Sequence, residues 1–267
     1  MDQETVKPLS INDITEMKGR GEKITCLTAY DASFAAVIDK VGIDILLVGD
    51  SLGMVVQGHS TTVPVNIDDM VYHTRCVSRV RQRAYLIADL PFMTYPSPDI
   101  AANNAALLLQ LGGAQMVKLE GARLDCVRFL VEQGIPVCGH LGLLPQSIHR
   151  YGTYRLQGKE PEAAQKIRDD ALKLEQAGAS LLVLECVPVI LAKEISYALK
   201  IPVIGIGAGV HCDGQVLVLY DMLNIGVGKR PRFSKNFMAV NAGVEEAITA
   251  YHNAVKGAEF PSPEHSY

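Results

Sequence analysis

Residues 180–207 read SLLVLECVPVILAKEISYALKIPVIGIG, and the pattern of this stretch decides the fold. Two short runs of mostly aliphatic side chains, at 180–186 and 201–207, flank a longer segment at 189–199. Near-continuous apolar runs of this length are typical of parallel strands that are covered on both faces. Parallel strands need a long connection, usually a helix, and the stretch therefore predicts a strand–helix–strand unit.

The same alternation extends in both directions from this unit. Further apolar runs predict strands at 23–30, 43–49, 84–90, 115–120, 135–141 and 216–223. Amphipathic segments predict helices at 31–41, 67–83, 98–111, 124–133, 161–177 and 238–257. Either Asn66 or Asp68 is suited to cap the helix that begins near residue 67. Several of these helices end next to a glycine, as is common at helix C-termini.

Eight strands with helices between most of them predict a closed (β/α)8 TIM barrel with right-handed crossovers. A doubly wound open sheet is the other fold that this alternation permits. The number of strands and the length of 267 residues favour the barrel. We predict a single domain over residues 1–267, with an N-terminal extension at 1–22 and a loose tail at 258–267.

The composition excludes several classes of protein. A hydrophobic content of 48% excludes a disordered chain, and the net charge of −4 without a long basic run argues against nucleic acid as a partner. No apolar run is long enough to span a membrane, and the polar, acidic N-terminus lacks a targeting pattern, so we expect a cytoplasmic protein. The six cysteines form no C-x-x-C pair, which argues against zinc ribbons and thioredoxin motifs and favours small buried thiols in a reducing compartment.

Ionisable residues interrupt the apolar pattern where the predicted strands end. They come from five different strands and are Asp50, Asp89, Lys118, Glu120, His140 and Glu185. The active site of a TIM barrel lies at the carboxyl ends of its strands. We therefore expect these six side chains to converge on one rim of the barrel.

Each of these residues also has a structural interpretation. Asp50 and Asp89 could each cap the next helix, and His140 could be a hydrogen-bonded residue of the core. Lys118 could extend to solvent with Glu120 as its ion-pair partner. Glu185 is harder to explain in this way because burying an unpaired carboxylate is costly. Taken together, these structural interpretations are weaker, because each role would have to occur independently at the same end of the barrel.

The residue types indicate a particular chemistry. Several carboxylates without cysteine ligands form an oxygen-rich site that suits Mg²⁺ or Mn²⁺ better than zinc. Such an ion can chelate the carboxylate and keto oxygens of a 2-oxo acid and stabilise its enolate. A desolvated glutamate could act as general base, while Lys118 and His140 could hold the substrate or its developing charge.

The glycine-rich segment 205–209 (GIGAG) is a weak signal. It lacks the third glycine of a dinucleotide-binding motif, and no strand that ends in an acidic residue follows about twenty residues on. A tight turn over the barrel rim is the simplest interpretation, with phosphate binding as the alternative. The chain contains no P-loop motif and no G-x-S-x-G motif of the α/β-hydrolases.

Long segments of the chain resemble the ketopantoate hydroxymethyltransferase family. In order, they are LTAYDASFA (27–35), VGDSLGMVVQGHSTTVPVNIDDMVYHTR (48–75), IADLPFMTY (87–95), VKLEG (117–121), GHLGLLPQS (139–147), LLVLECVP (181–188), IPVIGIGAGVHCDGQVLVLYDML (201–223) and PRFSKNF (231–237). So many segments in the same order are far more specific than any single motif. One departure is Leu144, where the family pattern leads us to expect threonine.

The resemblance implies a fold, a reaction and an assembly. The fold is a TIM barrel of the phosphoenolpyruvate/pyruvate type. The reaction transfers a hydroxymethyl group from 5,10-methylenetetrahydrofolate to 3-methyl-2-oxobutanoate and gives 2-dehydropantoate, in pantothenate and coenzyme A biosynthesis. The assembly is a cytoplasmic homo-oligomer, which is a ring of ten subunits in many members of the family.

The resemblance also implies roles for individual residues. Asp50, Asp89 and Glu120 would form the Mg²⁺ site, Glu120 either directly or through water. The oxo acid would contact Asp50, Ser51, Asp89, Lys118 and His140. Glu185 would accept the substrate proton.

Two other functions compete with this one. A 2-oxo-acid C–C lyase or mutase on the same barrel usually carries a reactive cysteine in a K-[KR]-C-G-H-like loop, which this sequence lacks. A non-catalytic binding module would have lost the acidic residues or Glu185, and all of them are present.

Overall fold

The computed structural model describes residues 7–267. Within these residues, parallel strands β1–β8 form a closed barrel in sequential order. The strands are β1 (Ile24–Thr28), β2 (Ile45–Val48), β3 (Tyr85–Asp89), β4 (Met116–Glu120), β5 (Val137–Gly142), β6 (Leu181–Glu185), β7 (Val203–Ile206) and β8 (Gly214–Leu217). The predicted TIM barrel is therefore confirmed, and the alternative of an open sheet is excluded because β1 pairs with β8.

Helices surround the barrel and cap its N-terminal end. They are α1 (Ile11–Gly19), α2 (Ala32–Val41), α3 (Leu52–Val55), α4 (Ile67–Ser78), α5 (Pro98–Leu107), α6 (Leu124–Glu132), α7 (Ile148–Tyr151), α8 (Pro161–Gln176), α9 (Val189–Ala198), α10 (Leu219–Met222) and α11 (Val244–Lys256). A π-helical turn at Leu108–Gly112 continues α5, and short 3₁₀ turns lie at Pro145–Ser147, Phe237–Ala239 and Pro263–His265. Asn66 is the cap of α4, with Asp69 completing a capping box.

The strands are apolar on both faces because they bury two separate cores. Inward-facing side chains such as Ile45, Ile87 and Val183 fill the barrel interior. Ile14 and Met17 of α1 belong to the same interior cluster, so α1 closes the barrel from below. The larger core lies between the sheet and the surrounding helices. The predicted extension at 1–22 thus contains a helix of the barrel's core from residue 11, while residues 1–6 lie outside the described part of the chain.

Two predicted boundaries at the end of the chain differ from the structure. The predicted strand at 216–223 is β8 followed by α10, whose first amide, at Leu219, donates a hydrogen bond to Thr28. Apolar periodicity alone does not distinguish a short strand from a short buried helix. The predicted helix at 238–257 begins only at α11, because Gly243 is the N-cap and a 3₁₀ turn precedes it.

The residues at 258–267, expected to form a loose tail, pack against the barrel instead. Phe260 is buried and its ring contacts the rings of Phe237 and Tyr251. The carbonyl oxygen of Tyr267 accepts a hydrogen bond from the amide of Val189 at the start of α9. The prediction missed this packing because a single buried aromatic residue in a polar segment gives no periodic signal.

Candidate active site

The alternation of strand side chains places the predicted residues inside the barrel mouth. Inward-facing Met116 is followed at steps of two by Lys118 and Glu120 at the end of β4. Asp89 in β3, His140 in β5 and Glu185 in β6 each lie two residues after a buried residue of the interior cluster. Their side chains therefore also face inward. Asp50 and Ser51 follow β2 and precede α3.

The structure brings all the predicted site residues into one cavity of about 520 Å³ at the carboxyl ends of the strands. Asp50, Asp89, Lys118, Glu120 and His140 are each no more than 5% exposed. The side chain of Glu185 is 14% exposed and faces the same space. The predicted convergence is confirmed, and it occurs at the end of the barrel where the active sites of this fold lie.

Asp89 and Lys118 form the central ion pair of the site. They are register partners across β3 and β4, and Oδ1 of Asp89 lies 2.9 Å from Nζ of Lys118. The other carboxylate oxygen of Asp89, Oδ2, accepts a hydrogen bond from the amide of Asp50. Burial lowers the pKa of Lys118, but the neighbouring carboxylates outweigh it and raise that pKa, so the ammonium group stays charged.

These contacts exclude several of the structural interpretations. The helix after Asp89 begins only at Pro98, and the N-cap of α3 is Ser51 rather than Asp50. Lys118 is buried rather than extended to solvent, and the partner it touches is Asp89 rather than Glu120.

His140 connects the lysine with Glu185. Its Nδ1 lies 3.4 Å from Nζ of Lys118, and its Nε2 lies 3.2 Å from Oε2 of Glu185. Burial and the charge of Lys118 hold the pKa of His140 well below its usual value. A neutral ring can accept from Lys118 at Nδ1 and carry its proton on Nε2, which lies near Glu185 without an aligned hydrogen bond.

Burial also shifts the carboxyl groups of the site. It raises the pKa of Glu185 to about 8, against the opposing effect of Lys118. Desolvation raises the pKa of Asp50 and of Glu120, with further contributions from neighbouring carboxylates in both cases. Perturbed pKa values of this kind, in a cavity, are characteristic of catalytic sites.

The donor set suits a hard divalent cation. Only oxygen donors are offered by Asp50, Asp89 and Glu120, and the mutual repulsion that raises the pKa of Asp50 and Glu120 would be relieved by a bound cation. Among residues 7–267, however, no three His, Cys, Asp or Glu side chains are grouped closely enough to hold an ion between them. The residues therefore fit an ion that takes one or two protein carboxylates and fills its other positions with water and substrate oxygens, as Mg²⁺ usually does.

Gln146 is a residue of the site that no sequence pattern indicates. Its Nε2 donates to Oδ2 of Asp50 at 2.8 Å, and its amide donates to Oε2 of Glu120 at 3.1 Å. The hydroxyl of Tyr95 donates to Oε1 of Gln146 and accepts from the amide of Glu120. Gln146 lies in the segment GHLGLLPQS, but an uncharged polar residue in a turn gives no periodic or charge signal.

Ser51 has a partner that the sequence did not indicate either. The hydroxyl of the buried Tyr30 lies 2.8 Å from Oγ of Ser51. Tyr30 lies just after β1, so this contact joins the ends of β1 and β2. It holds the Ser51 side chain at the edge of the cavity, beside Asp50.

The fold and the site together define an enzyme-type TIM barrel with a buried carboxylate, lysine and histidine cluster at its mouth. Among solved structures, a putative lyase/mutase from Burkholderia cenocepacia J2315 superposes with a TM-score of 0.61 at 14% identity, covering 96% of this chain and 97% of that chain. A 2,3-dimethylmalate lyase of the PEP mutase/isocitrate lyase superfamily superposes with a TM-score of 0.55 at 15% identity, covering 95% of this chain and 89% of that one. At these identities, the likeness shows the TIM-barrel fold and nothing finer.

Sequence relatives identify the family. The profile of the ketopantoate hydroxymethyltransferases matches residues 8–263. A 3-methyl-2-oxobutanoate hydroxymethyltransferase of Methylococcus capsulatus is 58% identical over 262 residues, which are 97% of this chain and 97% of the relative. The enzyme of the same name from Nitrosococcus oceani is 57% identical and covers 97% of this chain and 99% of its own length. The chain belongs to the ketopantoate hydroxymethyltransferase family, a family of transferases, as the resemblance predicted.

Proposed function

We propose that the protein transfers a hydroxymethyl group from 5,10-methylenetetrahydrofolate to 3-methyl-2-oxobutanoate and forms 2-dehydropantoate for pantothenate and coenzyme A biosynthesis. The observation that carries this proposal is Glu185, a nearly buried carboxylate with a raised pKa in the same cavity as Lys118 and the acidic cluster. The names of the sequence relatives support the same reaction.

Glu185 is the general base in this proposal. The C3–H bond of the oxo acid breaks, the proton moves to Glu185, and the electron pair forms the new bond to the one-carbon unit. Water supplies the hydroxyl oxygen, and both carbon–nitrogen bonds of the methylene group are lost. The two nitrogens released from the methylene group each gain a proton, one from water and one equivalent to the proton taken from C3, and tetrahydrofolate leaves. A pKa of about 8 suits a base that works near neutral pH.

The other residues bind the oxo acid and stabilise its negative charge. Asp50 and Asp89 would hold Mg²⁺, and Glu120 would hold it either directly or through water. The bound ion would supply Lewis acidity toward the carboxylate and keto oxygens of the substrate. Lys118, already charged and buried, stabilises the negative charge that develops on the substrate oxygen. Ser51 contributes a hydroxyl at the edge of the same space. His140 remains neutral, and its Nε2 lies 3.2 Å from Oε2 of Glu185.

Isotope exchange tests the proton-transfer step without the second substrate. The C3 proton of 3-methyl-2-oxobutanoate is followed by NMR in D₂O, with Mg²⁺ and without folate, for the parent protein and for Glu185→Gln. We expect metal-dependent exchange that the variant loses, while Glu194→Gln, a change at a half-exposed glutamate on α9, leaves it intact. Addition of methylenetetrahydrofolate should then yield 2-dehydropantoate. If neither exchange nor product forms, the transferase mechanism is wrong.

The lyase or mutase alternative has no support from a thiol in the cavity. Cys186 follows Glu185 and lines the same space, but it is buried and its burial raises its pKa well above the usual value. Such a thiol is a poor acid or nucleophile at neutral pH.

We also propose that the protein is a cytoplasmic homo-oligomer, as the family resemblance implies. None of the helices in residues 7–267 is long and apolar enough to cross a membrane. Ile190 and Tyr197 of α9 are 72% and 76% exposed and lie on the same side of the helix, two turns apart. Light scattering on the purified protein tests the number of subunits.

A further inference from the structure

The segment 258–267, which packs against the barrel, reaches the active-site cavity. Phe260 anchors the start of the segment in the core between the sheet and the helices. Tyr267 lines the same cavity as Glu185. The mechanism derived above uses no residue of this segment, although the segment brings an aromatic ring into the cavity that holds the base.

The position of Tyr267 is fixed by its backbone and by its ring. Its carbonyl oxygen accepts a hydrogen bond of 2.9 Å from the amide of Val189, at the start of the helix that follows Glu185. The guanidinium carbon of Arg232 lies 5.2 Å from the centre of the Tyr267 ring. Nε of Arg232 also donates to the carbonyl oxygen of Glu264 at 3.1 Å, so one side chain holds the segment at two points.

The ring of Tyr267 packs on a glycine beside the base. Gly207 follows Ile206, which is the register partner of Glu185 across β6 and β7. A Cβ on Gly207 would lie 3.2 Å from Cε2 of Tyr267, which is closer than an ordinary van der Waals contact. The absence of a side chain at this position therefore lets the ring approach the end of β7, next to the strand that carries Glu185.

The base is sensitive to its cover because its burial is incomplete. The side chain of Glu185 is 14% exposed, and desolvation is the main influence that raises its pKa. Burial also raises the pKa of the Tyr267 hydroxyl, and the nearby Cys186 and Glu185 raise it further. The ionisable groups that surround Glu185 in the cavity, besides Tyr267, are Asp50, Asp89, Lys118, Glu120, His140 and Cys186.

We propose that Tyr267 is a positioning residue for the base: its ring closes the cavity at the ends of β6 and β7 and keeps bulk water from the carboxylate of Glu185. This inference rests on the proposed function, in which Glu185 takes the C3 proton. Desolvation disfavours the charged carboxylate and so makes it a stronger base. Removal of the ring should therefore weaken the base and leave more of it ionised at low pH.

The pH profile of deuterium exchange at C3 tests this role. It is measured with Mg²⁺ and saturating 3-methyl-2-oxobutanoate, without folate, for the parent protein and for Tyr267→Ala. We expect the midpoint of the variant's profile to lie about one pH unit lower and its plateau at high pH to be about threefold lower. At pH 6 the variant should exchange about threefold faster than the parent, because more of its base is ionised there. The two profiles should therefore cross, whereas a loss of structure alone would lower the rate at every pH.

Two further variants separate the ring from its hydroxyl and from general effects. Tyr267→Phe keeps the ring and should restore the parent's profile. Tyr72→Ala makes the same change as Tyr267→Ala at a tyrosine that is 57% exposed on α4, and it should also show the parent's profile. A shift in Tyr267→Phe equal to that in Tyr267→Ala would assign the effect to the hydroxyl and overturn the role of the ring. So would a shift that disappears at high salt, because it would come from the charge of Arg232 rather than from hydration.

The same experiment separates this proposal from the proposed function. Exchange in the parent with an unchanged midpoint in Tyr267→Ala, at whatever rate, would refute the role of Tyr267 alone. No exchange in the parent would refute the transferase function and this inference with it. If Tyr267→Ala does not fold, Tyr267→Leu, which keeps an apolar side chain but no ring, should shift the midpoint in the same direction by less. An unchanged midpoint in that variant would refute the proposal.

Discussion

Nε2 of His140 lies 3.2 Å from Oε2 of Glu185, and the imidazole between this carboxylate and Lys118 is neutral. The pair is therefore not an ion pair, despite the short distance. A protonated histidine would lower the pKa of Glu185, whereas a neutral one leaves desolvation as the main influence, and desolvation raises that pKa to about 8. The arrangement supplies a base that is stronger than an ordinary glutamate and still partly ionised at neutral pH.

The first prediction follows from this pKa. Glu185 must be deprotonated to accept the C3 proton, so the exchange rate should rise about tenfold per pH unit below pH 8 and level off above it. Deuterium exchange measured between pH 5.5 and 9.5, with the protein-free background subtracted, gives the profile. A rate that is already constant above pH 5.5 would contradict a raised pKa, because a glutamate near its ordinary 4.5 would be fully ionised there.

The second prediction concerns Gln146, which links Asp50 and Glu120. Gln146→Leu removes the donor to Asp50 and leaves that carboxylate without a side chain to orient it, so we expect weaker Mn²⁺ binding by about three- to thirtyfold. Electron paramagnetic resonance of free Mn²⁺ measures this affinity without any turnover.

Tyr95→Phe provides the matched variant for this prediction. It removes the hydroxyl that bonds to the carboxamide of Gln146 but no group that touches Asp50. We expect a smaller loss of affinity, and less than additive effects in the double variant, since both changes disrupt the same network. Unchanged Mn²⁺ affinity in Gln146→Leu would show that Asp50 needs no such support.

The third prediction tests how the backbone positions Glu185. Gly142, at the end of β5, has a φ of 93° and pairs in register with Glu185. A Cβ at this position would collide with the carbonyl oxygen of Glu185. Gly142→Ala should therefore lower the unfolding free energy by about 1–3 kcal/mol, from backbone strain, and reduce the exchange rate about 10- to 100-fold through displacement of Glu185.

Gly134→Ala separates backbone strain from displacement of the base. Gly134 has a φ of 79° and no atom within 4 Å of an added Cβ, so the substitution introduces strain without a collision. Urea denaturation should show a loss of stability in both variants, while only Gly142→Ala should lose exchange activity. Equal exchange rates in the two variants would rule out a special role for Gly142.

The sequence predicts the site residues best in the strands, where a repeat of two residues determines which side chains face the barrel interior. The steps of two from Met116 to Glu120 and from Cys138 to His140 follow directly from strand geometry. The position of each residue at the end of its strand therefore also predicts that its side chain enters the barrel mouth with the others. Gln146 and Tyr95 depend on a turn that folds over the barrel mouth, and no local pattern indicates such a contact. The same holds for Phe260, whose buried position results from two aromatic partners far away in the sequence.

The last prediction concerns removal of the metal. Burial raises the pKa of Asp50 and of Glu120, so the folded metal-free protein binds more protons than the unfolded chain between the ordinary and the raised pKa values. Stability from these groups is present at low pH and is lost as pH rises through the raised values.

Mg²⁺ binds the ionised forms, so its stabilising effect should be larger at pH 8 than at pH 6. At a hundredfold excess over Kd, the gain is about 2.7 kcal/mol, or roughly 5–10 °C in Tm. Thermal unfolding with Mg²⁺ or EDTA at both pH values measures it. Asp50→Asn should abolish the gain, whereas Asp125→Asn, at a carboxylate 87% exposed, should retain it. A gain that is independent of pH, or one that survives in Asp50→Asn, would place the cation elsewhere.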